Sequence, residues 1–342
     1  MTAVPLQTFQ AALGKVRGDK RPHLLMGNGF SRACRDDIFS YDSLFGRADF
    51  NKLPRAKAAF EALGTTDFEV VMRTLKQAAA LMPIYSDLGT AAGQQMREDA
   101  ELLKDVLVRA IAQNHPEHPN EIPDDEYARC RAFLSNFDRW FTVNYDLLLY
   151  WTVMRSEVEP PLQSDDGFRT PEDGVEEYVS WEPENTDYQN MYYLHGALHI
   201  FDSKTEVQKY TWANTGVRLI VQIRDALDRG LYPLFVAEGE SAKKVERIRH
   251  SDFLDKTYRS LVRVGGTMFI HGHSLAPNDE HVLKGIVKSK VTQLFVGIFG
   301  DPDSESNREV IARANALPAL RSRRRRGSEL AVEFYDSGSV RV

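Results

Sequence analysis

Four short polar motifs, each at the end of an apolar run, hold the side chains able to do chemistry. Gly27-Asn28-Gly29-Phe30-Ser31 follows the run His23–Met26. Its two glycines let backbone come close to a ligand and free amide N–H groups to face an anion. A helix N-terminus beginning there would add its positive dipole end. Asn144-Tyr145-Asp146 follows Arg139–Val143 and sets an amide and a carboxylate two residues apart. His195-Gly196 follows Met191–Leu194, and an imidazole is well suited to take a proton near neutral pH. Gly272-His273-Ser274 follows Thr267–His271, and its hydroxyl can donate to a phosphate. Each motif also has a structural counterpart: a tight turn, a helix cap at Asn144 or Asp146, a satisfied buried His195, a turn hydroxyl at Ser274.

His195, His199, His271 and His273 place four imidazoles near these tips. Zinc hydrolases carry their paired histidines on a helix, whereas His195 and His199 span a strand end through a glycine. No acidic ligand pattern accompanies them, so the chemistry is read without a metal.

Parallel strands backed by helices would bring such tips together. Apolar runs at His23–Met26, Arg139–Val143, Met191–Leu194, Leu231–Val236, Thr267–His271, Gln293–Ile298 and Leu330–Tyr335 read as strands. Between them, amphipathic spacing predicts helices at Pro5–Val16, Asp124–Phe137, Gly216–Leu227, Ser251–Val264, Asp279–Val287 and Ser304–Ala316, and another from Leu147. Ile38 to about Asn114 looks almost wholly helical, with Asp67 a capping candidate and Pro116 a stop. Residues 38–137 therefore read as a helical insertion. The fold class is α/β, a mostly parallel sheet flanked by helices, and in such sheets ligands bind beyond the carboxyl ends of the strands. A single crevice would require all four motifs to sit just after strands, as they do.

Composition narrows the setting. The 342 residues are 42% hydrophobic and 27% charged, as in soluble globular proteins. No run approaches the ~20 apolar residues of a membrane span, and no signal-peptide pattern opens the chain. Cys34 and Cys130 are the only cysteines, too few for a disulfide framework or a four-cysteine zinc site, and they favour a reducing, cytoplasmic location. A net charge of −6 gives no global pull toward nucleic acid. From Glu157 to Asp187, eleven acidic residues against Arg169 alone read as a solvated surface loop. Arg321-Ser322-Arg323-Arg324-Arg325-Arg326-Gly327 reads as an exposed basic connection, able to meet a phosphate backbone or an acidic partner.

Met26–Ser31, Thr142–Asp146, Leu194–Gly196 and Gly272–Ser274 resemble, in order, the signature loops of the sirtuin-like (SIR2) superfamily, especially its bacterial SIR2-like branch. Leu234–Gly239 with Lys243 and Lys244, and then Phe269–Glu280, are similar to an uncharacterised bacterial SIR2-like group (DUF4917). The resemblance covers about Leu24 to Lys288. It implies a Rossmann-like sheet binding NAD, one domain over residues 1–342 with the helical insertion inside it. It also implies Asn144 and His195 as the catalytic pair, Asp146 near the nicotinamide ribose, and Gly27, Gly29, Ser31 and Ser274 holding the dinucleotide. Asn28, Phe30 and His273 lie within the same loops and count with the dinucleotide-binding set. The zinc-binding cysteines of sirtuin deacylases are absent, which argues against acyl-lysine peptides as substrates.

The activity expected is that of an NAD glycohydrolase, a hydrolase cutting the nicotinamide–ribose bond through an oxocarbenium-like state. His195 would be the general base, Asn144 would orient ribose or water, and Asp146 would stabilise the developing cation or fix hydrogen bonds. NAD is the substrate and no metal is required. The resemblance further implies an effector of bacterial antiphage defence, a homo-oligomer with a possible partner ATPase or sensor, meeting nucleic acid only through a partner. The alternative is a catalytically silent subunit that senses NAD or ADP-ribose or serves as a scaffold. It is motivated by Asn28 and His273, which replace small residues common in the family.

Overall fold

The structure, a computed structural model, describes all residues except 1–4, 19, 86–88, 172–177, 204, 212–215, 237–240, 325–328 and 341–342, and the side chain of Tyr41. Its centre is a seven-stranded parallel sheet of β1 (Gln7–Thr8), β2 (His23–Met26), β3 (Arg139–Thr142), β6 (Met191–Tyr193), β10 (Gly265–His271), β11 (Lys290–Ile298) and β12 (Ala331–Asp336). The spatial order is β1-β12-β11-β10-β2-β3-β6. Counted from β2 and leaving out the short β1, that is the 3-2-1-4-5-6 order of doubly wound dinucleotide-binding sheets. The order reverses between β2 and β10, so the crevice opens beyond their carboxyl ends. The α/β, Rossmann-like expectation holds.

Near-continuous apolar runs form these strands because both faces are covered. Leu24, Met26, Trp140, Phe269 and Phe295 join one core cluster, while their neighbours Leu25, Phe141, Ile270 and Val296 join the other. Helices Asp252–Arg263, Glu280–Lys288 and Glu305–Arg324 supply the second cluster.

Between β2 and β3 the chain is helical, with helices Asn28–Phe39, Tyr41–Arg47, Pro54–Leu63, Phe68–Tyr85, Gly89–Asn114 and Asp124–Leu134. Asp67 caps Phe68–Tyr85 through bonds from the Glu69 and Val70 N–H groups, at 2.8 and 3.3 Å.

A second, five-stranded sheet was not expected. It comprises β4 (Phe168–Arg169), β5 (Tyr178–Trp181), β7 (Gly196–Asp202), β8 (Val207–Tyr210) and β9 (Pro233–Phe235), all antiparallel. The expected strand Leu231–Val236 therefore exists as β9, outside the parallel sheet. The acidic stretch is not wholly a solvated loop either. Asp166 is buried against Lys209, whose ammonium also lies 4.9 Å from the Phe168 ring centre. Glu172, Asp173, Glu176 and Glu177 lie outside the described residues. Within Pro5–Val16 the chain forms β1 and then only a short helix, Phe9–Leu13. The basic stretch is helical as far as Arg324, and Arg321 is buried, donating to Val291 O (2.9 Å) and Ile286 O (2.6 Å). Arg325, Arg326, Gly327 and Ala237-Glu238-Gly239 lie outside the described residues.

Candidate functional site

Loops from four parallel strands line one cavity of about 1190 Å³: Gly27–Gly29 after β2, Asn144–Asp146 after β3, His195 after β6 and Gly272–Ser274 after β10. Glu69 and Arg73 reach it from the helical insertion, and Phe299 and Arg313 from beyond β11.

The glycines serve loop packing first. A Cβ on Gly27 would stand 2.6 Å from Gly272 O, and one on Gly29 2.5 Å from Gly272 Cα. Gly27 N–H donates to His271 O (3.0 Å) and Gly29 N–H to Gly272 O (2.8 Å). These two amides hold the loops on either side of the switch point together, so they do not face an anion as the sequence suggested. Gly272 itself takes φ +65°. The next loop residue but two, Leu275, is buried at φ 52°, a strained setting for a branched side chain.

The remaining loop residues divide. Phe30 is a core residue, 1% exposed and stacked on Phe133 at 6.3 Å, so it does not meet a ligand. Ser31 is fully buried and also lies outside the cavity lining. Its hydroxyl donates to Asp146 Oδ2 (2.6 Å) and accepts from Asn144 Nδ2 (3.0 Å). Asp146 Oδ1 in turn accepts the Leu148 N–H at 2.9 Å, so this carboxylate caps the start of the next helix while lining the cavity. Burial pushes the Asp146 carboxyl up, and the Ser31 and Leu148 bonds oppose that. The outcome is a half-buried Asn144 amide held in one orientation at the cavity wall. Asn28 turns its amide to Phe39 O (3.0 Å), and His273 is buried with Nδ1 accepting the Leu275 N–H (2.9 Å). Ser274 is exposed and lines the cavity.

His195 marks the junction of the two sheets. Its carbonyl accepts the Val236 N–H beside β9 (2.9 Å), and Gly196 then turns the chain at φ +78° into β7. Its ring is 1% exposed, lies beside Tyr145 at 6.3 Å, and brings Nε2 within 2.9 Å of His281 Nε2. Burial lowers its pKa well below the ordinary 6.5, so the ring is neutral at neutral pH. His199 sits on β7 between the Tyr150 and Tyr193 rings, away from the cavity lining. His271 is buried with Nδ1 3.0 Å from the Tyr335 hydroxyl.

Behind His195 lies a charged cluster that sequence reasoning missed. Lys244, fully buried, places Nζ 3.0 Å from both Glu69 Oε2 and Asp279 Oδ1. Asn278 Nδ2 also donates to Glu69 Oε2 (2.6 Å). Burial pushes the Glu69 carboxyl up to about 7. Burial works against Asp279 as well, but the fields of His195 and Lys244 outweigh it and hold that carboxyl below the ordinary range. At neutral pH Lys244 is the cation responsible, because burial keeps His195 neutral. Asp279-x-His281 just after the Gly272 loop was the available sequence signal; Lys244 stood out only within the DUF4917-like segment, and nothing in Lys243-Lys244-Val245-Glu246-Arg247 marks it as buried.

His195, Asp279 and His281 bring one potential ligand atom each within 4.8 Å of one another, the one such trio among the described residues. Two imidazole nitrogens on one tetrahedral zinc, with bonds of ~2.0–2.1 Å, stand roughly 3.3 Å apart. The observed 2.9 Å is a hydrogen-bond distance, and Lys244 already occupies the carboxylate. The trio fits a proton-sharing arrangement better than a cation.

Among the described residues no helix is long and apolar enough to cross a membrane. The family model described as Domain of unknown function (DUF4917) matches residues 24–342. No curated protein matches the chain.

Proposed function

The chain belongs to the DUF4917 family, and we propose that it is a SIR2-like NAD glycohydrolase that cleaves NAD to nicotinamide and ADP-ribose. The observation carrying this reading is that four strand-end loops line one cavity at the sheet's switch point, the place where doubly wound sheets take dinucleotides. In the reaction the ribose C1′–nitrogen bond breaks, and its electron pair neutralises the pyridinium. Water adds to C1′ and gives up a proton. His195, neutral and at the cavity wall, takes that proton. Asn144, fixed by Ser31 and Asp146, keeps its amide oxygen and second N–H to orient the ribose or the water. Asp146 thus acts by holding hydrogen bonds rather than by facing the cation.

Asn28 and His273 both turn into bonds of their own. That supports turnover over the catalytically silent, sensing or scaffolding reading. As part of the same proposal, the protein acts in the cytoplasm as an antiphage effector, self-assembled and restrained by a partner ATPase or sensor.

Pure protein incubated with NAD, alone and with the product of its genomic neighbour, is assayed for nicotinamide by chromatography. Release is expected, and its absence under both conditions sinks the reading. His195→Ala should lower turnover by ~10²–10⁴ while calorimetry still detects NAD binding. His199→Ala should leave turnover near wild type.

A further inference from the structure

A second imidazole stands behind the base and has no role in the reaction as written. His281, on the first turn of helix Glu280–Lys288, is 1% exposed. Its ring stacks on that of His195 with centroids 5.0 Å apart, and the two Nε2 atoms meet at 2.9 Å. Two neutral imidazoles in contact nitrogen to nitrogen must share a single proton, one donating and the other accepting. With Nε2 engaged in this way, Nδ1 is the nitrogen through which His195 can serve a substrate.

Burial pushes the His281 pKa down to about 4 while the Asp279 carboxylate opposes it, so a proton taken up by this ring would be held only briefly. Asp279 lies two residues before it, within 4.8 Å. Ser241 Oγ is 3.4 Å from His281 Nδ1, and the Tyr258 hydroxyl donates to the His281 carbonyl at 3.0 Å. The other charged or titratable groups nearby are Lys244 on Asp279, His273 with Nε2 3.6 Å from Asp279 Oδ2, Glu69 beyond Lys244, and Lys284 paired with Glu280 at 2.7 Å.

We propose that His281 is a proton-relay partner of His195, a positioning residue for the NAD hydrolysis inferred above and dependent on that reading. As water adds to C1′, its proton goes to His195 Nδ1. The proton on His195 Nε2 passes to His281 Nε2, whose lone pair accepts it. His195 ends neutral in its other tautomer, and His281 ends as an imidazolium facing the Asp279 carboxylate. The charge therefore comes to rest one ring away from the oxocarbenium-like centre rather than beside it. The pair resets when the proton returns across the Nε2–Nε2 bond to His195 and the Nδ1 proton of His195 leaves to water in the cavity.

The test compares nicotinamide release by wild type, His281→Gln and His281→Asn, and adds ¹⁵N-histidine spectra of the wild-type protein. An amide can hydrogen-bond His195 but cannot carry the proton away. Turnover, kcat, is expected to fall ~10–100-fold, with KM and the calorimetric affinity for ADP-ribose within about threefold of wild type. The spectra are expected to show a through-hydrogen-bond N–H···N coupling between His195 and His281. An active wild type with a His281→Gln kcat within threefold of it overturns the relay and leaves the hydrolase reading intact. Activity lost to a chelator and restored by zinc overturns it in favour of a metal centre. A wild type that releases no nicotinamide defeats the hydrolase reading itself. The coupling then judges the pair, its presence supporting proton sharing and its absence overturning it. That spectrum needs no variant, so a substitution that fails to fold does not shield the proposal.

Discussion

Replacing Lys244 with methionine removes one charge and nearly conserves volume, and the structure predicts a pH-dependent loss of stability. The ammonium is fully buried and 3.0 Å from each of two carboxylates, Glu69 and Asp279. Removing one member of a buried ionic group costs about 3–5 kcal/mol, chiefly from the charge left behind. Protonation limits that cost, because burial already lifts the Glu69 carboxyl to about 7 from 4.5 and losing Lys244 lifts it further. A carboxyl raised on folding contributes stability that is full below its unfolded value. That contribution disappears as pH rises through the folded value. In the wild type Asp279 is shifted the other way, its contribution lost only in strong acid; without Lys244, burial raises this carboxyl too and adds to the loss at higher pH. The deficit of Lys244→Met should therefore grow from pH 6 to pH 8. Unfolding entropy of ~2.1 cal/mol/K per residue over 342 residues is ~0.7 kcal/mol/K, so ~4 kcal/mol at pH 8 lowers Tm by ~6 °C. At pH 6 the shift should be about half as large. Thermal melts by circular dichroism at both pH values measure this, and adding Glu69→Gln should restore part of the loss at pH 8. A Tm at pH 8 within ~1 °C of wild type, or equal losses at both pH values, would refute the reasoning.

Two further outcomes follow from the same geometry. Gly196→Ala should abolish soluble expression, since its Cβ would stand 1.8 Å from Leu234 O at φ +78°. Gly230→Ala, at φ +77° in open space, should cost only ~1–2 kcal/mol in a thermal melt. For turnover, burial keeps His195 neutral well below pH 6.5, so kcat/KM should stay level from pH 8 down to about 6. An acid limb centred between pH 6.5 and 7 would show that the base is not this ring.

The parallel sheet was legible because its strands are buried on both faces. Leu24-Leu25-Met26 and Trp140-Phe141 carry no polar alternation, and each run ends at a Gly, Asn or His. The antiparallel sheet was hidden for opposite reasons. β5 lies inside an acidic stretch, β7 follows β6 across only Leu194 and His195, and β9, though legible as a strand, carries no mark of which sheet it joins. Loop residues announce themselves by type, and Asn144, His195 and the glycine loops do meet. What each does there depends on neighbours distant in sequence. Ser31 pairs with Asp146 across 115 positions, and Lys244 meets Glu69 across 175. No local pattern distinguishes a lysine at zero exposure from one in solvent, and Phe30 inside a glycine loop gives no sign that it faces Phe133.

The helices between β2 and β3 look, by their position in the chain, like a removable accessory. Glu69 contradicts that view. It starts from the helix Phe68–Tyr85 and ends as a counter-ion of a lysine on the helix Ser241–His250, while Tyr145 donates to it at 3.3 Å. Trimming the chain to the parallel sheet and its flanking helices would strip a buried cation of half its compensation and unroof the cavity at once. Shuffling these helices between relatives would have to carry Glu69, Lys244 and Asn278 together as one inherited unit.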